Sequence, residues 1–226
     1  MANSLASPQS SSRQSIPSTA QARARSAGVQ RRGVERVQAI LDAAEALLDE
    51  QGYEAATLKA IGERAGIPTA SVYHYFADRH QVDAEVLRRH LREVDERVAA
   101  SMSSPTVRTL RDAIDAAVDP LLAYFREHPS LVQLWFKGRS STLSELDEAF
   151  DLSQAEQLWR LLIERNLIRA DTPQFVVQLA YEAGDRLFDV AFWRSPKGDD
   201  ATIDEARRLV TAYLETYAPQ AQHPGD

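Results

Sequence analysis

Tyr73, His74 and Tyr75 stand in a row within TLKAIGERAGIPTASVYHYFADR, Thr57 to Arg79. Successive side chains on a helix point roughly 100° apart, so these three cannot all face one core. Ahead of them, Ala65, Gly66 and Ile67 supply the small residue, the glycine turn and the apolar anchor that join two short helices. Ala60, Ile61, Val72 and Phe76 then make the inward face. Thr69, Ala70, Tyr73 and His74 are left outward, near the start of the second helix. Short or hydrogen-bonding groups at that end are what a helix lying in the major groove of DNA offers to base edges. Tyr75 and Arg79 come where such a helix leaves the groove. A phenolic hydroxyl and a guanidinium suit phosphate oxygens, which fix register without specifying sequence.

Other chemistries find little support. None of the 226 residues is a cysteine, which removes disulfides, thiolate ligands and a thiol nucleophile. The five histidines form no linear metal motif such as HExxH. No metal and no cofactor is therefore expected. There is no glycine loop for phosphates and no activated nucleophile. The acidic pairs Asp147/Glu148 and Asp199/Asp200 read as solvated charge. An all-α enzyme is kept only as an alternative to a binding protein.

The chain carries a net charge of −7, which taken alone argues against nucleic acid. Its distribution argues otherwise. Arg13, Arg23, Arg25, Arg31 and Arg32 fall in residues 1–34, where there is no acid, so the acidic part is the body that follows. A basic arm on an acidic body fits DNA binding at one end. Arg25, Arg31 and Arg32 are candidates to reach phosphates or a neighbouring minor groove, with an unconstrained solvated tail as the equal alternative. Lys59, Lys137 and Lys197 are the only lysines among 26 basic residues, an arginine bias typical of a high-GC bacterial source. No apolar run approaches the ~20 residues that span a bilayer. The first residues lack the apolar core of a secretory signal, and a cytoplasmic location is expected.

The elements that must position the row are helical. Residues 1–30, rich in Ser, Ala, Gln and Arg, are expected to be a disordered arm. From Val34 on, apolar residues recur with helical period and no hairpin signal interrupts them. Nine helices are expected, in an all-α fold. The first carries Val34, Val37, Ile40, Ala44 and Leu47 and stops at Gly52. Thr57 caps the second, the third begins near Pro68–Thr69, and Asp78 with Gln81 makes a capping box for the fourth. The fifth spans roughly Val107 to Glu127 and should kink or split at Pro120. Pro129 opens the sixth and the seventh runs from about Leu143 to Asn166. Thr172–Pro173 opens the eighth. The ninth has Ile203, Ala206, Val210, Tyr213 and Tyr217 at 3–4 spacing, a coiled-coil-like seam.

The segment from about Arg36 to Leu87, ILDAAEALLDEQGYEAATL followed by IGERAGIPTASVYHYFADR, closely resembles the N-terminal domain of the TetR family of bacterial transcription regulators. The resemblance implies a homodimer that binds a palindromic operator through two helix-turn-helix motifs. It implies a DNA-binding domain over residues 31–80 and a ligand-binding and dimerisation domain over 81–226. By motif position Thr57 and Lys59 are backbone or base contacts, Thr69, Ala70 and His74 base readers, and Tyr73, Tyr75 and Arg79 phosphate contacts. The Tyr75 ring has the alternative of turning partly inward. Two positions depart from the family pattern. Pro68 stands where a polar cap is frequent, so Thr69 is a substitute cap, and Gly62 stands where alanine is usual.

Beyond residue 81 the resemblance rests on helix pattern alone. It implies a small-molecule effector and a repressor released by it. The aromatic residues Tyr124, Trp135, Trp159 and Tyr181 are chosen as pocket candidates. No charge cluster stands out there, which favours an apolar or weakly polar ligand. Small residues Ala180, Gly184 and Ala191 on the eighth helix, with Ala206, Val210 and Tyr213 on the ninth, are chosen as the dimer seam. The bland alternative is that both stripes bury within one chain. A regulator controlled by a protein partner, with no ligand, is the remaining alternative.

Overall fold

The computed structural model describes residues 19–138 and 140–219, with side chains from residue 30 onward. Residues up to Ala39 form one unit and those from Ile40 another. In the first unit the backbone is already helical from Thr19, the start of helix α1 (Thr19–Gln51). That differs from the disorder expected through about residue 30. Ala20, Ala22 and Ala24 alternate with Gln21, Arg23 and Arg25, residue types of good helix propensity. Arg31 and Glu35, one turn apart and exposed, are paired at 3.4 Å. The remainder of the arm, including Arg13, lies outside the described residues.

The second unit continues α1 with Ile40, Leu41, Ala44, Leu47 and Leu48 buried on one stripe. A 3-10 turn, Tyr53–Ala55, leads to α2 (Leu58–Ala65), α3 (Thr69–Tyr75) and α4 (Arg79–Met102). After these come α5 (Leu110–Glu127), α6 (Pro129–Lys137), α7 (Ser141–Glu164), α8 (Gln174–Arg194) and α9 (Asp200–Glu215). Among the described residues there is no strand, and the all-α expectation of nine helices holds.

The helix ends follow from side chains that satisfy the first orphan amides. Ala60 N donates to Thr57 Oγ1 at 3.2 Å, as expected. Gln81 N donates to Asp78 Oδ1 at 3.0 Å, but Gln81 reaches back to Ala77 N at 2.9 Å, one residue before the cap. Helix α5 starts at Leu110, later than Val107, because Thr109 and Asp112 form a reciprocal capping box. It then runs unbroken through Pro120, so the split does not occur. Pro173 is the N-cap of α8 rather than its first helical residue. Thr172, expected as that cap, is buried instead, and its carbonyl accepts Trp159 Nε1 at 3.0 Å. Helix α4 buries residues along its whole length, from Val82 to Met102, and so serves both ends of the molecule.

Candidate nucleic-acid interface and cavity

Helices α2 and α3 meet closely because of one residue. A Cβ added at Gly62 would lie 2.9 Å from the Ile67 carbonyl oxygen and 3.2 Å from Val72 Cγ2. The departure from alanine at this position is therefore a packing requirement. Gly66, at φ +67, makes the left-handed turn. Pro68 is the N-cap of α3 and has no side-chain cap bond; Thr69 is the first helical residue, so it does not take over as cap. A proline needs no amide partner at a helix start.

With Val72 and Phe76 buried beneath, Ala70, Tyr73 and His74 are exposed on α3, and Thr57 and Lys59 are exposed at the start of α2. Tyr73 is 56% exposed, unusual for a tyrosine with no partner in the fold. Thr69 is half-buried. Tyr75 is half-buried with its ring edge-on to His74 at 5.4 Å, the inward alternative. These are the residues that their spacing in the sequence assigns to DNA.

Arg79, assigned to DNA as well, is engaged within the chain. Its guanidinium lies 3.7 Å over the Tyr53 ring, donates to the Tyr53 carbonyl and sits 3.4 Å from Asp83. Tyr53 OH also donates to Asp83 at 3.1 Å. Burial raises the Asp83 carboxyl pKa, with Arg79 opposing the rise. Expected as a phosphate contact, this arginine ties the 3-10 turn to the start of α4 in the structure, where a buried carboxylate requires a paired cation.

Helices α4, α5, α7, α8 and α9 enclose a cavity of about 80 Å³. Its walls are apolar, with Val98 and Met102 from α4, Ile114 and Leu121 from α5, Phe150 from α7 and Phe188 from α8. Gln154, Tyr181, Asp185 and Arg207 supply the polar rim. Arg207 bridges Asp115 and Asp119 at 2.5 Å each, and Gln154 donates to Asp95 at 2.7 Å.

Of the four aromatic pocket candidates, only Tyr181 lines this cavity. Tyr124 is buried elsewhere, 2.9 Å from His90 Nδ1. Trp135 packs edge-on to Phe125 at 5.4 Å and lines a separate void of about 50 Å³. Trp159 pins α7 to the turn before α8. Aromatic content marked α5, α7 and α8 among the five helices of the cavity, but not α4 or α9, and on α5 and α7 not the right face. A better signal was Arg207, a charge inside the apolar seam of α9, facing two acids one turn apart on α5.

An acidic cluster, not foreseen from sequence, borders the cavity. Asp147 and Asp151 on α7 face Asp185 and Asp189 on α8, each pair one turn apart. Burial, reinforced by the neighbouring acids, pushes Asp147 up to about 6, Asp185 to about 7 and Asp151 to about 8. The reading of Asp147 as solvated charge is thus corrected. Burial and the same acids also hold the Tyr181 hydroxyl well above its ordinary value.

The residues chosen for the dimer seam lie as follows. Ala180, Ala191, Ala206 and Val210 are buried within the chain, and a Cβ at Gly184 would lie 3.0 Å from Val210 Cγ2. The small residues bring α8 and α9 of one chain together. Tyr213 is half-buried, edge-on to Tyr217 at 5.7 Å. The exposed apolar side chains on these helices are others: Phe175, Leu179, Trp193 and Leu209.

A three-helix head with an exposed reading helix, joined by α4 to an all-helical body, defines a DNA-binding helix-turn-helix regulator. Comparison with known proteins gives the same class. Residues 40–85 match the family model for bacterial regulatory proteins of the tetR family, and residues 109–214 match that for the tetracyclin repressor-like C-terminal domain. The transcriptional repressor KstR of Rhodococcus jostii is 36% identical over 176 residues, 77% of this chain and 79% of that protein. The repressor KstR2 of the same organism is 28% identical over 193 residues, 79% and 89% of the two chains. A TetR-family regulator from Streptomyces coelicolor, of known crystal structure, shares 33% identity over 80% of this chain and 99% of its own, with a TM-score of 0.61. The chain belongs to the TetR family of bacterial transcription regulators, and is a DNA-binding protein rather than an enzyme. No helix among the described residues is long and apolar enough to cross a membrane.

Proposed function

We propose that the chain is a cytoplasmic repressor that holds a palindromic operator as a homodimer and lets go when a small molecule enters the cavity. The observation that carries this reading is the placement of α4. It begins at Arg79, four residues after α3 ends, and its last turns, Val98 and Met102, wall the cavity. At about 80 Å³ the cavity is smaller than the ~150 Å³ that accepts a benzene-sized guest. A larger effector must push its walls apart, which gives the two conformers different affinities for it. The wall chemistry favours an apolar molecule with one polar end, placed against Arg207 or the partly protonated acids.

Thr57, Lys59, Thr69, Ala70, Tyr73, His74 and Tyr75 are proposed as the DNA contacts. The proposed dimer contact is the outer face of α8 and α9, with Phe175, Leu179, Trp193 and Leu209. Covering these side chains with a second copy removes the exposed apolar patch.

The test is capture of genomic fragments of the source organism by purified protein, with a Tyr73→Ala/His74→Ala variant as control. The expected result is a palindrome recovered by the wild type and lost from the variant, which then serves to screen apolar metabolites for release. Equal recovery by both proteins would refute the assigned reading surface.

A further inference from the structure

Three groups that the proposed function does not use converge between α1, α4 and the α5–α6 corner. They are Glu45, His90 and His128, far apart in sequence and absent from any linear motif. Each offers one ligand atom, and the three atoms lie within 4.8 Å of one another. Glu45 Oε1 and His90 Nε2 are 3.8 Å apart, too far for a hydrogen bond. The His128 side chain makes no hydrogen bond among the described residues. We propose that Glu45, His90 and His128 form a binding site for a divalent transition ion of the zinc class.

The surroundings prepare the ligands for that role. His90 is 1% exposed, so its ring is held by packing. Its Nδ1 is 2.9 Å from Tyr124 OH, which lies 3.3 Å from Glu93 Oε2. With the phenol donating to that carboxylate, Nδ1–H donates to the phenol oxygen. The Nε2 lone pair is then left toward Glu45. This is the outer-shell arrangement that fixes the tautomer of metal-bound histidines. The Tyr124 ring also stacks on His128 at 4.0 Å and restrains its orientation. Ser130 Oγ, 3.2 Å from His90 Nε2, is the group an ion would displace from that lone pair. Arg89 lies 3.7 Å from Glu45 Oε2, and so leaves Oε1 to the site.

Two imidazoles and a carboxylate suit Zn²⁺, Co²⁺ or Ni²⁺ rather than the oxygen-seeking Mg²⁺ or Ca²⁺. Tetrahedral bonds of ~2.0–2.1 Å place ligand atoms roughly 3.4 Å apart. Closure by about an ångström completes the site, with water in the fourth position.

The test uses the full chain, untagged and stripped of metal by a chelator. It is titrated with Co²⁺, followed by its visible ligand-field bands, and with Zn²⁺, followed by the melting temperature. One equivalent should give an intense tetrahedral spectrum and a rise in Tm. Glu45→Gln and His128→Gln should each abolish the spectrum, with circular dichroism establishing that they fold. Tyr124→Phe should weaken binding about 10- to 100-fold, and the exposed His80→Ala should leave it unchanged. Absence of the tetrahedral bands in the wild type, or their persistence in His128→Gln, would overturn the site. The spectrum reads metal alone, so it is independent of operator binding.

Discussion

Asp151 is the carboxyl group held furthest from its ordinary value, and replacing it with asparagine tests the acidic cluster directly. Its pKa is raised from 3.8 to about 8, first by burial and then by Asp185 and Asp147. Because the folded value lies above the unfolded one, the folded chain binds more protons between these limits. The associated stability is present in full below about pH 4 and is lost progressively as pH rises to about 8. A tenfold change in a proton equilibrium corresponds to about 1.4 kcal/mol. Between about pH 4 and pH 7 the change is roughly a thousandfold, an upper bound of ~4 kcal/mol for an isolated group. Protons shared with Asp185 and Asp147 reduce what one substitution recovers, and ~2 kcal/mol is expected. Asparagine has the shape of the protonated acid and cannot ionise. Urea denaturation from about pH 4.5 to 8 should therefore show Asp151→Asn matching the wild type at the acid end and exceeding it by ~2 kcal/mol at pH 7. Parallel pH profiles for the two proteins would refute the reasoning, because they would place the ionised carboxylate in a solvated site.

Three further outcomes follow from packing. Gly62→Ala gains about 1 kcal/mol of helix propensity but pushes a methyl against the Ile67 carbonyl, an overpacking cost of about 1–3 kcal/mol. A lowered Tm with weaker operator binding is expected, and a raised Tm would mean that α2 and α3 can separate freely. Leu179→Glu places a charge on the proposed dimer face, and sedimentation should show monomer with far-UV dichroism unchanged; an unaltered oligomer would move the interface elsewhere. Ala117→Leu fills part of the cavity. Operator affinity should hold while release by an identified effector fails, and unimpaired release would place the effector outside the cavity.

The reading helix was legible because its signals are local. Spacing alone separates Val72 and Phe76 from Tyr73 and His74, and Thr57, Gly66 and Asp78 mark the ends. What was illegible depends on which of two apolar faces meets which neighbour. On α8, Ala180 and Ala191 read as a dimer seam, whereas the structure buries them within the chain and leaves Phe175 and Leu179 exposed. Small residues mark close approach without naming the partner, and α9 of the same chain fills that place. The intrachain role of Arg79 was hidden for a similar reason, since Tyr53 is 26 residues away. The histidine and acid clusters are likewise products of tertiary contact.

Helix α4 is one link between cavity and DNA-reading head; the α5–α6 corner is a second. Helix α5 lines the cavity with Ile114 and Leu121, then turns at His128 into α6. There Ser130 N donates to Asp49 Oδ1 of α1 at 2.5 Å, and Tyr53 N donates to Gln133 Oε1 at 3.3 Å. The first is a charge-assisted bond, worth about 1.5–3 kcal/mol. A coupling of ~1–3 kcal/mol is a 5- to 150-fold change in affinity, so this one bond is of the size of a typical allosteric coupling. Asp49→Ala should leave cavity binding intact and cut the effector-induced loss of operator affinity by about tenfold, as read by anisotropy titration with and without effector. A full response in Asp49→Ala would place the severed bond off the path from cavity to DNA.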